Sequence, residues 1–190
     1  MQYNIPNILT LLRIALIPVF VVVFYLPFKW AHALCAAIFA LAAVTDWLDG
    51  YLARRLRQTS AFGAFLDPVA DKLMVAVALI LLVQQNPSAL FAIPAAIIVG
   101  REIAISALRE WMAEIGERAH VAVSIIGKLK TTVQMIALLL LLYREPIGSF
   151  PTMMVGMVLF YAAAILTLWS MAVYIRAAWP ILMGEGANKP

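Results

Sequence analysis

Charge is scarce in this chain of 190 residues: only 13% of positions are Asp, Glu, Lys or Arg, 65% are hydrophobic, and the mean hydropathy is +0.95. That shortage excludes a soluble globule, because too little polar side chain is available to cover one. Cysteine occurs once, at Cys35, so no internal disulfide can form, which is compatible with a cytoplasmic membrane. Histidine occurs twice, and His32 and His120 fall in opposite connections, so they cannot join in one metal site. No internal repeat is visible, no separate soluble domain fits beside the apolar runs, and a nucleic-acid partner is not expected.

What is present is a series of apolar runs long enough to cross a hydrocarbon core of ~30 Å. They are read at 8–28, 31–53, 64–83, 89–112, 121–143 and 150–178. The expected architecture is an all-α integral membrane protein, one domain over 1–190, with six transmembrane helices. A short interfacial segment at 1–7 precedes the first crossing, with Pro6 suited to a first helical turn. The opening residues lack a basic n-region, so no secretory signal is read there, and 184–190 read as a flexible tail. Arg54, Arg55, Arg57, Arg109, Arg118, Lys128, Lys130 and Arg176 all fall at one set of connections and helix ends, against only Lys29 and Arg144 at the other. By the positive-inside rule, both termini and the cationic loops face the cytoplasm. Trp30, Trp111 and Trp179 sit near the expected boundaries, as an aromatic belt would place them.

Against this background four aspartates stand close together: Asp46-x-x-Asp49-Gly50-x-x-Ala53-Arg54, eight residues, then Gly63-x-x-x-Asp67-x-x-x-Asp71. On two helices, Asp46 and Asp49 are one turn apart, as are Asp67 and Asp71, so each helix presents a carboxylate pair on one face. Two pairs facing each other form a cage for hard cations. A carboxylate in mid-membrane costs about 2.5–3.5 kcal/mol, so the cluster requires compensation even near the interface. Arg54 and Lys72 are nearby cations, and divalent metal neutralises such a cluster well through oxygen ligands. Gly50 and Ala53 leave a face with little side-chain bulk, where a flat ligand can approach the backbone. Gly63 permits a tight helix entry, and Arg54 can meet a phosphate. A salt-bridged structural cluster is the competing reading of the same charges.

This pattern resembles that of the CDP-alcohol phosphatidyltransferase family, D-x-x-D-G-x-x-A-R, eight residues, G-x-x-x-D-x-x-x-D, with every position met. Three further stretches are similar to those of bacterial members that use sn-glycerol 3-phosphate: Asn4-Ile5-Pro6-Asn7-Ile8-Leu9-Thr10, Gly100-Arg101-Glu102 through Arg109-Glu110-Trp111, and Gly127-Lys128-Leu129-Lys130-Thr131-Thr132. The resemblance implies six membrane helices and transfer of the phosphatidyl group of CDP-diacylglycerol to sn-glycerol 3-phosphate, releasing CMP, in the bacterial cytoplasmic (inner) membrane. It implies two divalent cations, Mg2+ or Mn2+, held by Asp46, Asp49, Asp67 and Asp71, with Asp71 as general base. CDP-diacylglycerol would be met by Asp49, Gly50, Ala53, Arg54 and Gly63, and the protein would be a homodimer among membrane lipid. Direct displacement is preferred over a covalent intermediate, since Thr45, Thr59 and Ser60 have no histidine partner.

The acceptor's dianionic phosphate needs cations near the aspartates but distinct from them. Glu102, Ser106 and Arg109 form a polar stripe at i, i+4, i+7; Lys128, Thr131 and Gln134 form another, and Arg176 ends the last run. Arg109, Lys128, Thr131 and Arg176 are the candidates, although cations at helix ends also follow from topology alone. Arg101 and Glu102, deeper and adjacent, suit either helix stabilisation or the acceptor pocket. Other acceptors fit the same aspartates: inositol phosphate, serine, an amino alcohol or phosphatidylglycerol. A cation transporter and a scaffold with helix-pairing aspartates are the readings from other classes. Transporters commonly carry internal repeats with broken helices, and a scaffold leaves the register of Gly50, Ala53 and Gly63 without a purpose.

Overall fold

The computed structural model describes residues 5–56, 61–115 and 125–183. These form six helices: α1 (Ile5–Tyr25), α2 (Ala31–Leu56), α3 (Ala61–Gln85), α4 (Ala89–Glu114), α5 (Ile125–Tyr143) and α6 (Thr152–Leu182). Ile5, Pro6 and Asn7 belong to the first turn of α1 and run without a break into the first crossing. The expected tail at 184–190 and His120 lie outside the described residues.

Among the described residues, four helices, α1, α2, α4 and α6, are long and apolar enough to span a membrane. The protein is therefore an all-α, multi-pass membrane protein. The other two, α3 and α5, are expected as crossings from the sequence; α3 carries Asp67, Asp71 and Lys72 in its N-terminal half, α5 carries Lys128 and Lys130 in its first two turns, and Leu129–Tyr143 is the apolar stretch of α5 among the described residues. Both are polar at their N-terminal ends, which marks where the polar chemistry sits.

α1 packs on α2 and α3, α6 packs on α5 and α4, and α2–α5 and α3–α4 contacts join the two groups. The chain reverses at each short connection, so the ends of α1, α3 and α5 meet the beginnings of α2, α4 and α6. That end holds the apolar core: Phe20, Phe39, Leu79, Leu82, Ile98, Leu138, Leu141 and Phe160, all buried. Cys35 is part of it, buried and unpaired, as a packing residue would be. Meanwhile large apolar side chains such as Val22, Val44, Ile80, Ile93, Val158 and Ile165 are exposed around the bundle. Such a belt would be a liability in water and is the surface expected against lipid.

At the apolar end α5 and α6 approach closely because Gly156 has no side chain. A Cβ added there would meet Leu141 Cδ2 at 3.0 Å, Leu141 Cγ at 3.1 Å and Leu140 Cβ at 3.2 Å. Gly156→Ala is therefore expected to lower stability by about 1–2 kcal/mol, because overpacking outweighs the gain in helix propensity. Thermal unfolding in detergent tests this, with Gly100→Ala as the comparison, since a Cβ at Gly100 meets nothing within 4 Å. Equal midpoints for the two variants would refute the close-packing account.

Candidate active site

At the opposite end from the core, α1, α2 and α3 bring charge together. Thr10 and Arg13 lie one turn apart on α1, so both point to the same side of that helix. Arg13 is 1% exposed, among the most deeply buried side chains of the protein. Its guanidinium forks between two carboxylates of α2, donating through Nη1 to Asp46 Oδ1 at 2.8 Å and through Nη2 to Asp49 Oδ2. Asp49 is buried, whereas Asp46 remains 45% exposed at its side chain. Thr10 donates its hydroxyl to Asp67 Oδ1 on α3. One face of α1 thus ties the aspartates of α2 to those of α3.

Asp71 completes the set one turn past Asp67. It lies in the electrostatic field of Asp46 and Arg13 on one side and of Glu102 and Lys72 on the other. Among the described residues, no three acidic, His or Cys side chains are drawn into a single metal-holding group. The arrangement of Asp46, Asp49 and Asp67 is set instead by Arg13 and Thr10. The donors nevertheless fit a hard divalent cation, being all carboxylate oxygen and placed on two adjoining helices. Gly50, Ala53 and Arg54 continue α2 along the aspartate-bearing helix, with side chains at 50, 53 and 54 outside the described residues. Gly63 is buried in the first turn of α3.

Beyond Asp71 opens a cavity of about 920 Å³ between α3, α4, α5 and α6. Among the described residues, four cations line it, Lys72, Arg101, Arg109 and Lys130, against three carboxylates, Asp71, Glu102 and Glu110. Glu102 serves two of the cations, accepting from Arg101 at 2.8 Å and from Lys130 at 2.6 Å. Arg101 also donates to Ser170 Oγ at 3.2 Å, which fixes α4 to α6. Lys72 donates to Ser106, and Arg109 donates to the Tyr174 hydroxyl while lying 4.8 Å from the centre of that ring. The surplus of fixed positive charge, with guanidinium and ammonium groups already oriented, suits a phosphate-bearing ligand.

The whole Glu102, Ser106, Arg109 stripe faces this cavity, and so does Thr131. The side chain of Lys128 lies outside the described residues. Arg176 is exposed on α6 and is not among the cavity-lining residues. Arg101 and Glu102 join the cavity wall and at the same time bond across helices, Arg101 to Ser170 of α6 and Glu102 to Lys130 of α5. The aspartate pattern and the acceptor-side stripes do not single out Arg13, Thr10 or Lys130. A buried arginine one turn from a threonine on an otherwise apolar helix is the signal available for the first two. For Lys130 it is the one-turn spacing to Gln134.

The sequence model of the CDP-alcohol phosphatidyltransferase family matches residues 3–169. The chain belongs to this family. As a CDP-alcohol phosphatidyltransferase it carries the family's aspartate pattern on α2 and α3, where the carboxylates are brought together, and the matched stretch includes every lining residue named above except Ser170 and Tyr174. The chain is 62% identical over 179 residues to the CDP-diacylglycerol–glycerol-3-phosphate 3-phosphatidyltransferase of Pectobacterium atrosepticum, which covers 94% of this chain and 96% of that protein. Proteins of the same description from Shigella flexneri and Pseudomonas fluorescens are 58% identical over 185 residues and 54% identical over 187 residues. They cover 97% and 98% of this chain, and 100% and 95% of their own lengths.

Proposed function

We propose that this phosphatidyltransferase moves the phosphatidyl group of CDP-diacylglycerol to sn-glycerol 3-phosphate, giving phosphatidylglycerophosphate and CMP. The observation that carries the reading is the position of Asp71, shared between the aspartate cluster of α2 and α3 and the cation-lined cavity of α3 to α6. A lipid nucleotide and a phosphorylated alcohol are both anionic, and these are the two charged compartments in which they can meet. High identity to the bacterial glycerol-3-phosphate 3-phosphatidyltransferases over nearly the whole chain supports the choice of acceptor.

Asp46, Asp49, Asp67 and Asp71 would hold two divalent cations, Mg2+ or Mn2+. When bound, such ions supply charge neutralisation at a pyrophosphate and at a departing CMP oxygen. The chain's own residues do the remainder. Asp71 takes the proton from the terminal hydroxyl of the acceptor, and that oxygen attacks the phosphorus bearing the diacylglycerol. The bond from this phosphorus to the bridging oxygen breaks, and CMP departs with the electron pair. Asp49, Gly50, Ala53, Arg54 and Gly63 form the donor side. On the acceptor side Arg109 and Thr131 are joined by Arg101 and Lys130. The site faces the cytoplasm of a bacterial inner membrane, following the cationic connections, and the protein works as a homodimer.

The test is CMP release from CDP-diacylglycerol by detergent-purified protein, with each acceptor in turn and with or without chelator. The expected result is chelator-sensitive release with sn-glycerol 3-phosphate and little with serine or inositol phosphate. Release with a different alcohol would keep the aspartate chemistry and change the product. No release with any acceptor, from protein shown to be folded, would overturn the reading in favour of a transporter or scaffold.

A further inference from the structure

Among the described residues, Gln134 is the one neutral polar side chain of the cavity for which the surrounding protein leaves a buried atom unused. It stands on α5 one turn beyond Lys130, is 5% exposed, and lines the cavity together with Asp71, Arg101 and Lys130. Its Oε1 is buried without a hydrogen-bond partner. Buried amide oxygens are ordinarily paired, so one left over beside a cavity points to a partner that arrives with a ligand. The neighbouring neutral groups are already committed. Ser106 donates to the Glu102 carbonyl at 2.6 Å, Ser170 donates to the Thr167 carbonyl at 2.9 Å, and the Tyr174 hydroxyl accepts from Arg109. Thr131 has an interaction of its own.

The chemistry of the acceptor supplies the match. Glycerol phosphate has three polar points: a phosphate, a terminal hydroxyl and a middle hydroxyl. The cations suit the first, and Asp71 suits the second. The third is uncharged and needs an uncharged partner that can accept its proton in a hydrogen bond, which an amide oxygen does. We propose that Gln134 receives the middle hydroxyl of the acceptor and thereby selects glycerol 3-phosphate over phosphorylated alcohols that lack it. This assignment rests on the acceptor reading above. Three separate contacts on one small molecule also distinguish its mirror image, so Gln134 holds the handedness of the product.

The experiment compares kcat/KM of the wild type and of Gln134→Met for sn-glycerol 3-phosphate, its enantiomer, and 3-hydroxypropyl phosphate, which lacks the middle hydroxyl. A site built to hydrogen-bond a hydroxyl rejects an analogue without it strongly, so the wild type is expected to favour sn-glycerol 3-phosphate by roughly a hundredfold or more over 3-hydroxypropyl phosphate. Gln134→Met is expected to lose most of that preference, with turnover of 3-hydroxypropyl phosphate little changed. Equal slowing of both acceptors, or of neither, would overturn the assignment. If Gln134→Met does not fold, the wild type alone decides, because equal use of the two acceptors excludes any group reading the middle hydroxyl. Absence of CMP release from the wild type with sn-glycerol 3-phosphate would overturn this assignment and the acceptor reading together, whereas normal release with no discrimination overturns the Gln134 assignment alone.

Discussion

Asp71→Asn is expected to reduce CMP release by about a thousandfold while leaving CDP-diacylglycerol binding largely in place, the loss typical of a missing general base. The amide keeps the size of the side chain but cannot take the hydroxyl proton. Asp71 is also the group on which both compartments converge, since it senses Asp46 and Arg13 on one side and Glu102 and Lys72 on the other. Asp46→Asn should behave differently. Asp46 belongs to the cluster and not to the cavity wall, so its replacement is expected to weaken donor binding as well as turnover. Protection of the protein against thermal unfolding by CDP-diacylglycerol, measured beside CMP release, separates the two effects. Undiminished turnover in Asp71→Asn would remove Asp71 from the reaction. Loss of donor protection equal to that of Asp46→Asn would make it a cluster residue only.

The second large effect is one of stability. Arg13→Ala takes the guanidinium from the buried carboxylate of Asp49, and removing one partner of a buried ion pair typically costs about 3–5 kcal/mol. The bond to Asp46 adds little to this, because that carboxylate is 45% exposed and solvent screens it. Arg13→Lys is expected to fall between the variant and the wild type, since a single ammonium lacks the fork that reaches both aspartates. Unfolding midpoints in detergent measure the series. Divalent cation should then recover more of the lost stability in Arg13→Ala than it adds to the wild type, because it neutralises the carboxylates left without their guanidinium. A midpoint for Arg13→Ala equal to that of the wild type would show that Asp49 is satisfied by other groups.

Local patterns made the helices and the aspartates legible. Apolar run length places six helices within a few residues of those observed, and the aspartate spacings needed only one-turn geometry within each helix. Partners from distant parts of the chain were not legible in the same way. Arg13 meets Asp46 and Asp49 across 33 and 36 residues, Thr10 meets Asp67 across 57, and Lys130 meets Glu102 across 28. Periodicity reports which residues share a face of one helix and carries nothing about which face of another helix will lie opposite. Arg176 illustrates the same limit from the other direction. It ends α6 where a cation was expected and shares a helix face with the cavity-lining Val173 and Trp169, at i+3 and i+7 from them, but it lies past Tyr174, the last lining residue of α6, and is exposed.

The division of labour between helices has a consequence for how such an enzyme can change. On the proposed assignment the phosphorus chemistry rests on α2 and α3, held by α1, whereas the alcohol is met mainly by α4, α5 and α6, and Asp71 is the aspartate of the pattern that also lines that second compartment. Substitutions on the last three helices can therefore retool the choice of alcohol while the transfer machinery is inherited intact. A lineage built on this plan can diversify its lipid products by rewriting half of the bundle at a time.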